Sequence, residues 1–240
     1  MSPDNRQHRG AHPADRRLFD AGQISVLREA TSDLSWLLSR GYALKSSLKT
    51  VGDRYALTER QRLGVQRAAC TDASMEKRAA SCLPIHNVKN EPLMIDGFNL
   101  IIMVEAALGG GVLMICRDRC IRDLSSVHGS YRSVLETERA ILLIGQALEA
   151  LKPASARWFL DRPVSNSGRL GQRINDLALK HGWPWSVEVV FNPDAALLSS
   201  GNIALTSDSS ILDGVTRWIN FGSYLVKEYL PHAWLVNLRA

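Results

Sequence analysis

Aspartate residues follow three apolar segments that have the length and composition of buried strands. The segments end as Met94-Ile95-Asp96, Phe159-Leu160-Asp161 and Thr206-Ser207-Asp208. If the segments are parallel strands, their carboxyl ends lie at one edge of a sheet, where α/β proteins bind ligands. Carboxylates that converge on one edge repel one another unless a cation lies among them, and oxygen ligands suit Mg²⁺ or Mn²⁺. The sequence therefore predicts that Asp96, Asp161 and Asp208 hold a metal ion.

Two of these aspartates also have a structural interpretation. Asp96-Gly97 is a dipeptide common in turns, and Asp208 is well placed to cap a helix that includes Ile211. Three aspartates at one edge, with Asp213 a turn beyond Asp208, favour the metal site. Two divalent ions at such a site activate a water and stabilise the leaving oxygen in phosphodiester hydrolysis.

Glu138 is a further acidic candidate, on a helix predicted over residues 134–151. It follows Val134 by four residues and precedes Ile141 by three, which places it on the apolar face of that helix. A carboxylate there, near the start of the helix, is expected beside the sheet edge. Pairing with a buried arginine is the alternative, and both interpretations stay open at this point.

The loop over residues 161–169 is rich in polar side chains and leads into a helix predicted from Leu170. Free N–H groups at a helix start attract phosphate, and arginine can hold phosphate bidentately. An ordinary loop with a Ser or Asn cap is the alternative. The substrate contacts expected from this loop are Arg162, Ser165, Asn166, Ser167 and Arg169. A second polar cluster precedes the helix over residues 134–151, and it adds His128 and Arg132 to the expected substrate contacts.

The segments that would position these residues alternate between strand and helix patterns. Strands are predicted near residues 93–95, 112–115, 157–160, 187–191, 203–206 and 234–236. Helices are predicted over residues 100–108, 134–151, 170–181 and 211–221. This alternation is typical of an α/β fold, with a mostly parallel sheet covered by helices on both faces.

A smaller helical part precedes the α/β domain. Its helical periodicity is interrupted at Gly52-Asp53, and Thr58 with Gln61 predicts a capping box for its last helix. The predicted organisation is a disordered basic tail (1–20), a helical module (21–80), a linker (81–92) and the α/β domain (93–240). No apolar run approaches the roughly 20 residues that span a bilayer, so we expect a cytoplasmic protein without membrane contact.

Positive charge is concentrated in the first third of the chain. Residues 1–90 contain 15 Lys and Arg against 9 Asp and Glu, whereas residues 91–240 contain 14 against 15. A polyanion would therefore contact the helical module first, and a solvated basic surface is the alternative. The arginines near the last helix of the module are Arg54, Arg60, Arg62 and Arg67.

The four cysteines are scattered and are expected to be reduced thiols. Cys116 and Cys120 have a C-x3-C spacing, with His128 further along. A zinc site is the less favoured interpretation, because the spacing is poor and a fourth ligand is not evident. Cys116 ends an apolar run and is more simply a core residue.

Two motifs resemble the PIN-like nucleases, especially their NYN branch. They are Ile95-Asp96-Gly97-Phe98-Asn99 and the segment from Thr206 to Asp213. The resemblance implies a metal-dependent ribonuclease, with Asp96 as the acid of the first strand, Asp208 as the late acid and Asp213 as its companion. Glu138 matches the acid of a mid-domain helix, and Asp161 matches by position alone. The first motif also adds Asn99 to the expected substrate contacts.

Residues 24–220 are similar to an uncharacterised two-part family, the domain of unknown function number 434. The segments that carry this similarity are Arg40-Gly41-Tyr42-Ala43-Leu44, Arg54-Tyr55-Ala56-Leu57-Thr58, Val127-His128-Gly129-Ser130-Tyr131-Arg132 and the loop over residues 160–168. This family implies no activity.

The sequence therefore predicts a PIN-like nuclease that uses Mg²⁺ or Mn²⁺ and acts on RNA, and a homodimer stays open. A non-catalytic nucleic-acid-binding protein of the same fold is the first rival. A phosphatase or nucleotide-binding enzyme is the second. Against the second, Phe98 stands where a dehalogenase-type phosphatase needs another aspartate, and no G-K-[ST] phosphate loop is present.

Overall fold

The structure is a computed structural model that describes residues 8–125 and 131–239. Its N-terminal region consists of α1 (Asp15–Leu18), α2 (Ala21–Ser39), α3 (Leu44–Arg54), α4 (Glu59–Ala68) and α5 (Asp72–Ser81). The predicted capping box is confirmed, because Thr58 and Gln61 each accept the other's backbone N–H. The predicted break at Gly52-Asp53 is displaced by one residue, since α3 continues through both residues and ends at Arg54. Gly52 instead leaves room for the guanidinium of Arg62 beside the helix.

The chain before α2 packs against the helical region. Asp15 is fully buried, and its carboxylate accepts two hydrogen bonds from Arg60. The Phe19 side chain is buried as well. The disordered tail predicted for residues 1–20 is therefore wrong over residues 8–20, because a buried ion pair and an aromatic side chain fix this segment.

Four parallel strands form the central sheet in the order β5-β4-β1-β6. They are β1 (Pro92–Asp96), β4 (Ser155–Asp161), β5 (Trp185–Val190) and β6 (Ile203–Leu205). The middle residues of β1 and all of β6 are buried, as expected for strands covered on both faces. The predicted α/β fold with a mostly parallel sheet is confirmed.

The remaining strands form a second sheet that the sequence did not predict. In this sheet β2 (Val112–Ile115) pairs in parallel with β7 (Trp234–Asn237) and antiparallel with β3 (Ile121–Asp123). The helices that follow the N-terminal region are α6 (Gly97–Leu108), α7 (Thr137–Leu151), α8 (Ser167–His181), α9 (Pro193–Ser199), α10 (Ser209–Leu212) and α11 (Phe221–Tyr229). The helix predicted over residues 211–221 is wrong, because α10 stops at Leu212 and Trp218 forms bridges to Cys82 and Ala204.

The helical region and the second sheet share one hydrophobic core. Leu27 and Leu34 of α2 are in the same buried cluster as Met114 of β2 and Val236 of β7. The helical region therefore covers the second sheet, and removal of residues 1–90 would expose that sheet to water. Across the described residues, no helix is long and apolar enough to cross a membrane.

Candidate functional site at the acidic sheet edge

The carboxyl end of every strand in the central sheet is followed by, or ends in, an aspartate. The pairing register places Asp96 opposite Phe159 and Ile95 opposite Leu205, so β1, β4 and β6 end at one edge. The four aspartates of this acidic edge are Asp96 (β1), Asp161 (β4), Asp194 (after β5) and Asp208 (after β6). The predicted placement of three strand-end aspartates on one edge is thereby confirmed.

Asp194 is the residue of this edge that sequence reasoning missed. It is in the first turn of α9, two residues after Asn192 caps that helix. The signal was present, because β5 was predicted as a parallel strand and must end at the same edge. The same pattern, a proline and an aspartate after a strand, also marks an ordinary helix start, so it does not by itself point to a site.

Asp96 accepts a hydrogen bond from the hydroxyl of Thr206, at 2.8 Å from its Oδ2 atom. Burial raises the pKa of Asp96 to about 7, against the lowering effect of the Thr206 hydroxyl. The negative charges of Asp208 and Asp194 raise it further. The carboxylate is therefore close enough to its acidic neighbours for them to disfavour its ionised form.

Asp208 caps α10, as the structural interpretation predicted. Its Oδ1 accepts the backbone N–H of Ser210 at 2.8 Å and that of Ile211 at 3.4 Å. Its own backbone N–H donates to Thr206 Oγ1 at 3.0 Å. Asp208 therefore has a structural role, and this role leaves its second carboxylate oxygen without a bond to the helix.

Burial is the main cause that raises the pKa of both Asp161 and Asp194 above the usual range. The charge of Asp194 adds to the rise at Asp161, and the charge of Asp208 adds to the rise at Asp194. Among the described residues, no Lys, Arg or His forms an ion pair with any of the four aspartates. The acidic edge is therefore a group of mutually repelling carboxylates that have no cationic partner in the described part of the chain.

Asn99 is held in a fixed orientation beside this edge. Its Oδ1 accepts hydrogen bonds from the backbone N–H and the hydroxyl of Ser207, each at 2.9 Å. These bonds tie the start of α6 to the segment after β6. Asn99 thus links the two motifs that resemble the PIN-like nucleases, and its amide nitrogen is left for another partner.

Two of the acidic candidates lie outside this group. Both carboxylate oxygens of Asp213 accept hydrogen bonds from Arg78, at 2.8 Å each. Glu138 is exposed, and its nearest basic group is Arg173 at 3.9 Å. The prediction that Glu138 is on a buried face is wrong, and so is its pairing with a buried arginine. The reason is that α7 begins at Thr137, so Val134 lies outside the helix, and the buried face carries Thr137, Ala140 and Ile141 rather than Glu138.

The loop after β4 is organised by bonds to its own backbone and to Tyr131. Asn166 has a left-handed backbone and donates from Nδ2 to the carbonyl of Tyr131 at 2.8 Å, so it does not cap α8. Ser167 is buried, with its hydroxyl bonded to the carbonyls of Asp161 and Val164. Ser165 is exposed, as are Arg162 and Arg169.

Arg162 stacks over Phe191, with its guanidinium carbon 4.7 Å from the ring centre. Phe191 is 72% exposed, which is unusual for an aromatic side chain next to a buried sheet. Arg132 is exposed, and its carbonyl accepts a hydrogen bond from Arg9. His128 lies outside the described residues.

The arginines of the helical region are engaged in internal contacts. Arg60 pairs with buried Asp15, and Arg62 donates to the Leu57 carbonyl and to Asp53. Arg67 donates to the carbonyl of Asp123, the last residue of β3, and to that of Ser125. These three arginines lie in α4, where the sequence placed them, and their guanidinium groups hold the fold together. Arg54 is exposed, 3.7 Å from Asp33.

The cysteines are packed in the interior. Cys116 and Cys120 are buried, and the backbone N–H of Cys116 donates to the carbonyl of Cys120 at 2.9 Å. Burial raises the pKa of the Cys116 thiol to about 11, so it is protonated at neutral pH. These facts agree with the core interpretation.

The donor chemistry of the acidic edge suits a hard divalent cation. The carboxylates supply oxygen ligands, which Mg²⁺ and Mn²⁺ prefer. In the described part of the chain, no three Asp, Glu, His or Cys side chains are grouped closely enough to enclose a metal ion as they stand. Asp96, Asp161 and Asp208 are the residues that would hold such an ion.

The fold and the site define an α/β protein with an acidic sheet edge and a helical region packed beside it. The chain belongs to the family described as "Domain of unknown function (DUF5616)", whose sequence model matches residues 85–224. Residues 26–80 match the family described as "Protein of unknown function (DUF434)". The similarity to that second family is therefore confirmed for the helical region, and a different family of unknown function covers most of the α/β part.

The Uncharacterized protein MJ0935 of Methanocaldococcus jannaschii is 30% identical over 188 residues. The match covers 78% of this chain and 88% of that protein. No solved structure matches the chain significantly.

Proposed function

We propose that this protein is a metal-dependent nuclease that hydrolyses phosphodiester bonds of RNA at the acidic edge. The observation that supports this most is the convergence of four aspartates from four parallel strands, without a basic partner among the described residues. Such a group repels itself unless a cation is bound. The resemblance of two motifs to PIN-like nucleases supports the same activity.

Asp96, Asp161 and Asp208 would hold Mg²⁺ or Mn²⁺. A cation bound there supplies positive charge that activates a water and stabilises a leaving oxygen. Thr206 and Asn99 position the acids, because they bond the ends of β1 and β6 to one another. Asp194, which raises the pKa of both Asp96 and Asp161, adds negative charge to the same place.

The contacts to the RNA backbone are proposed on the side of the edge that carries β4 and α8. Arg162 and Arg169 are exposed there, within one loop and one helical turn of Asp161. Arg60, Arg62 and Arg67 are less suitable, because their guanidinium groups already bind protein oxygens. Exposed arginine binds phosphate through counterion release, so binding should weaken as salt rises.

Cleavage of a labelled single-stranded RNA by the full chain tests this function. The assay compares Mg²⁺, Mn²⁺ and a chelator, with the wild type, Asp96→Asn and Asp161→Asn. Asp176→Asn is the matched control, because Asp176 is an exposed aspartate of α8 that bonds only to Gln172. We expect cleavage by the wild type and the control, at least about 100-fold less by the other two variants, and none with chelator.

A non-catalytic RNA-binding protein is the second candidate. It is favoured by the observation that no three metal-binding side chains of the described residues stand together. Under this alternative the wild type binds RNA with chelator present and leaves it intact with either metal. Under the nuclease proposal, Mn²⁺ raises the melting temperature of the wild type and of Asp176→Asn more than that of Asp96→Asn.

A further inference from the structure

A cleft of about 470 Å³ lies between the helical region and the acidic edge. Helices α2 to α5 and their connections form one wall, and Asn99, β3 and the segment over residues 207–213 form the other. Asp208 is among the lining residues, so the cleft reaches the acidic edge. Its volume is in the range of pockets that bind small molecules, about 300–1,000 Å³.

Charge in the cleft is balanced. The arginines that line it are Arg67, Arg78 and Arg122, and the aspartates are Asp123, Asp208 and Asp213. A cleft for a phosphate or another polyanion would present an excess of basic groups with free N–H donors. Equal numbers of the two charges favour an uncharged ligand.

Arg78 directs its guanidinium to protein acceptors. It binds Asp213 through two nitrogens, Asp118 at 2.7 Å and the carbonyl of Ser209 at 3.2 Å. Asp118 is buried, and burial alone would raise its pKa. Arg122 and Arg78 outweigh that effect and hold the pKa of Asp118 below its usual value. This ionic network belongs to the fold, so Arg78 is not available to a ligand's anion.

Arg122 and Arg67 are committed in the same way. Arg122 donates to the carbonyls of Ser207 and Arg67 and to both oxygens of Asp118. Arg67 donates to the carbonyls of Asp123 and Ser125, at 2.8 and 2.6 Å. The three arginines therefore line the cleft and stabilise its walls through their hydrogen bonds to protein oxygens.

Other polar groups in the cleft are free to bind a ligand. The amide of Gln66 and the hydroxyls of Ser74 and Ser209 make no hydrogen bond to other described residues, and all three residues line the cleft. Leu38 and Leu44 add apolar surface to the same lining. Apolar surface beside amide and hydroxyl groups suits a heteroaromatic ring with polar edges.

We infer that this cleft binds an uncharged nucleobase of the RNA, with Gln66, Ser74 and Ser209 contacting the edge of the base and Leu38 and Leu44 its face. The inference deepens the proposed function and rests on it, because it names the part of the substrate that is held next to the acidic edge. A base extruded from the chain is read by hydrogen bonds and by apolar contact, and the adjoining phosphate would then reach Asp208.

Titration of the full chain with the free nucleosides guanosine, adenosine, cytidine and uridine tests the inference by calorimetry, with chelator present. We compare the wild type with Ser74→Phe, which would fill the cleft, and with Ala73→Phe. Ala73 is the preceding, exposed residue of α5 and does not line the cleft. We expect saturable binding of at least one nucleoside, at least about tenfold weaker in Ser74→Phe and unchanged in Ala73→Phe.

A second pair of variants covers the case in which Ser74→Phe does not fold. Gln66 is exposed, so Gln66→Leu should fold, and it should weaken binding and change the order of preference among the nucleosides. The control Gln172→Leu makes the same change at an exposed residue of α8, and this variant should bind nucleosides as the wild type does.

Three results would overturn the inference. They are no saturable binding of any nucleoside, equal binding by Gln66→Leu and the wild type, and displacement of a bound nucleoside by millimolar inorganic phosphate. Its failure is distinguishable from that of the proposed function. Nucleoside binding without RNA cleavage would keep the cleft and reject the nuclease, whereas cleavage without nucleoside binding would do the opposite.

Discussion

Thr206 donates its hydroxyl to the Asp96 carboxylate, with an Oγ1–Oδ2 distance of 2.8 Å, at the end of the β1–β6 pairing. The Oγ1 atom of Thr206 also accepts a hydrogen bond from the backbone N–H of Asp208, at 3.0 Å. One side chain thus connects the first and the last acid of the edge. The relationship depends on parallel pairing, because only that pairing brings the carboxyl ends of β1 and β6 together.

The stability of the protein should fall as Asp96 ionises. Its pKa is about 7 in the folded protein against 3.8 for an ordinary aspartate, so the folded state holds the proton more tightly. The stabilisation from this group is full below about pH 4 and is lost as pH rises through about 7. Each pKa unit corresponds to about 1.4 kcal/mol, so the loss is a few kcal/mol at most.

Urea unfolding between pH 4 and 8, with chelator present, measures this effect. As pH rises, the unfolding free energy of the wild type should fall relative to that of Asp96→Asn. Taking this difference cancels the pH dependence contributed by other groups such as Asp118, whose lowered pKa acts in the opposite direction. A difference that is constant with pH would contradict the prediction.

Thr206→Val should move that pH window upward. The Thr206 hydroxyl stabilises the charged form of Asp96, so its loss raises the pKa of Asp96 further. Thr206→Ser keeps the hydroxyl and serves as the control. The midpoint can be followed by NMR of the Asp96 carboxyl carbon, and equal midpoints in the two variants would reject the coupling.

Two substitutions at Asp208 should separate its cap from its charge. Asp208→Asn keeps an oxygen that can cap α10, so stability should change little while RNA cleavage is lost. Asp208→Ala removes both and should also lower the unfolding free energy by about 1 kcal/mol. Urea denaturation and the cleavage assay give the two readouts. Full cleavage by Asp208→Asn would remove Asp208 from the proposed metal site.

Arg78→Met should destabilise the protein strongly. Arg78 is 3% exposed and bridges Asp118 and Asp213, so its removal leaves buried negative charge with less compensation, at about 3 kcal/mol or more. Lys49→Met is the comparison, because Lys49 and Asp53 form an exposed pair that solvent screens, so its loss should change the unfolding free energy little. Similar losses in urea unfolding for both variants would show that the buried network is not what stabilises this region.

Local patterns were sufficient for most of the elements. The apolar segments that end at Asp96 and Asp161 became parallel strands, because short, mainly apolar runs are most stable where both faces are covered. The capping box at Thr58 was also predictable, since its bonds span only three residues. The break expected at Gly52-Asp53 came only after Arg54, and Gly52 lies inside α3, where the absence of a side chain leaves room for Arg62 of the next helix.

The sequence by itself determined the parallel sheet and the common edge for Asp96, Asp161 and Asp208, because strand direction and length follow from the order of short apolar segments. Only the tertiary structure decided which charged groups are free. It assigned Asp213 to Arg78 and Arg60 to Asp15, and it brought Asp194 to the edge. The physical reason is that an ion pair forms between side chains that the fold brings together, over separations of 135 and 45 residues here, and no local spacing encodes such a pair.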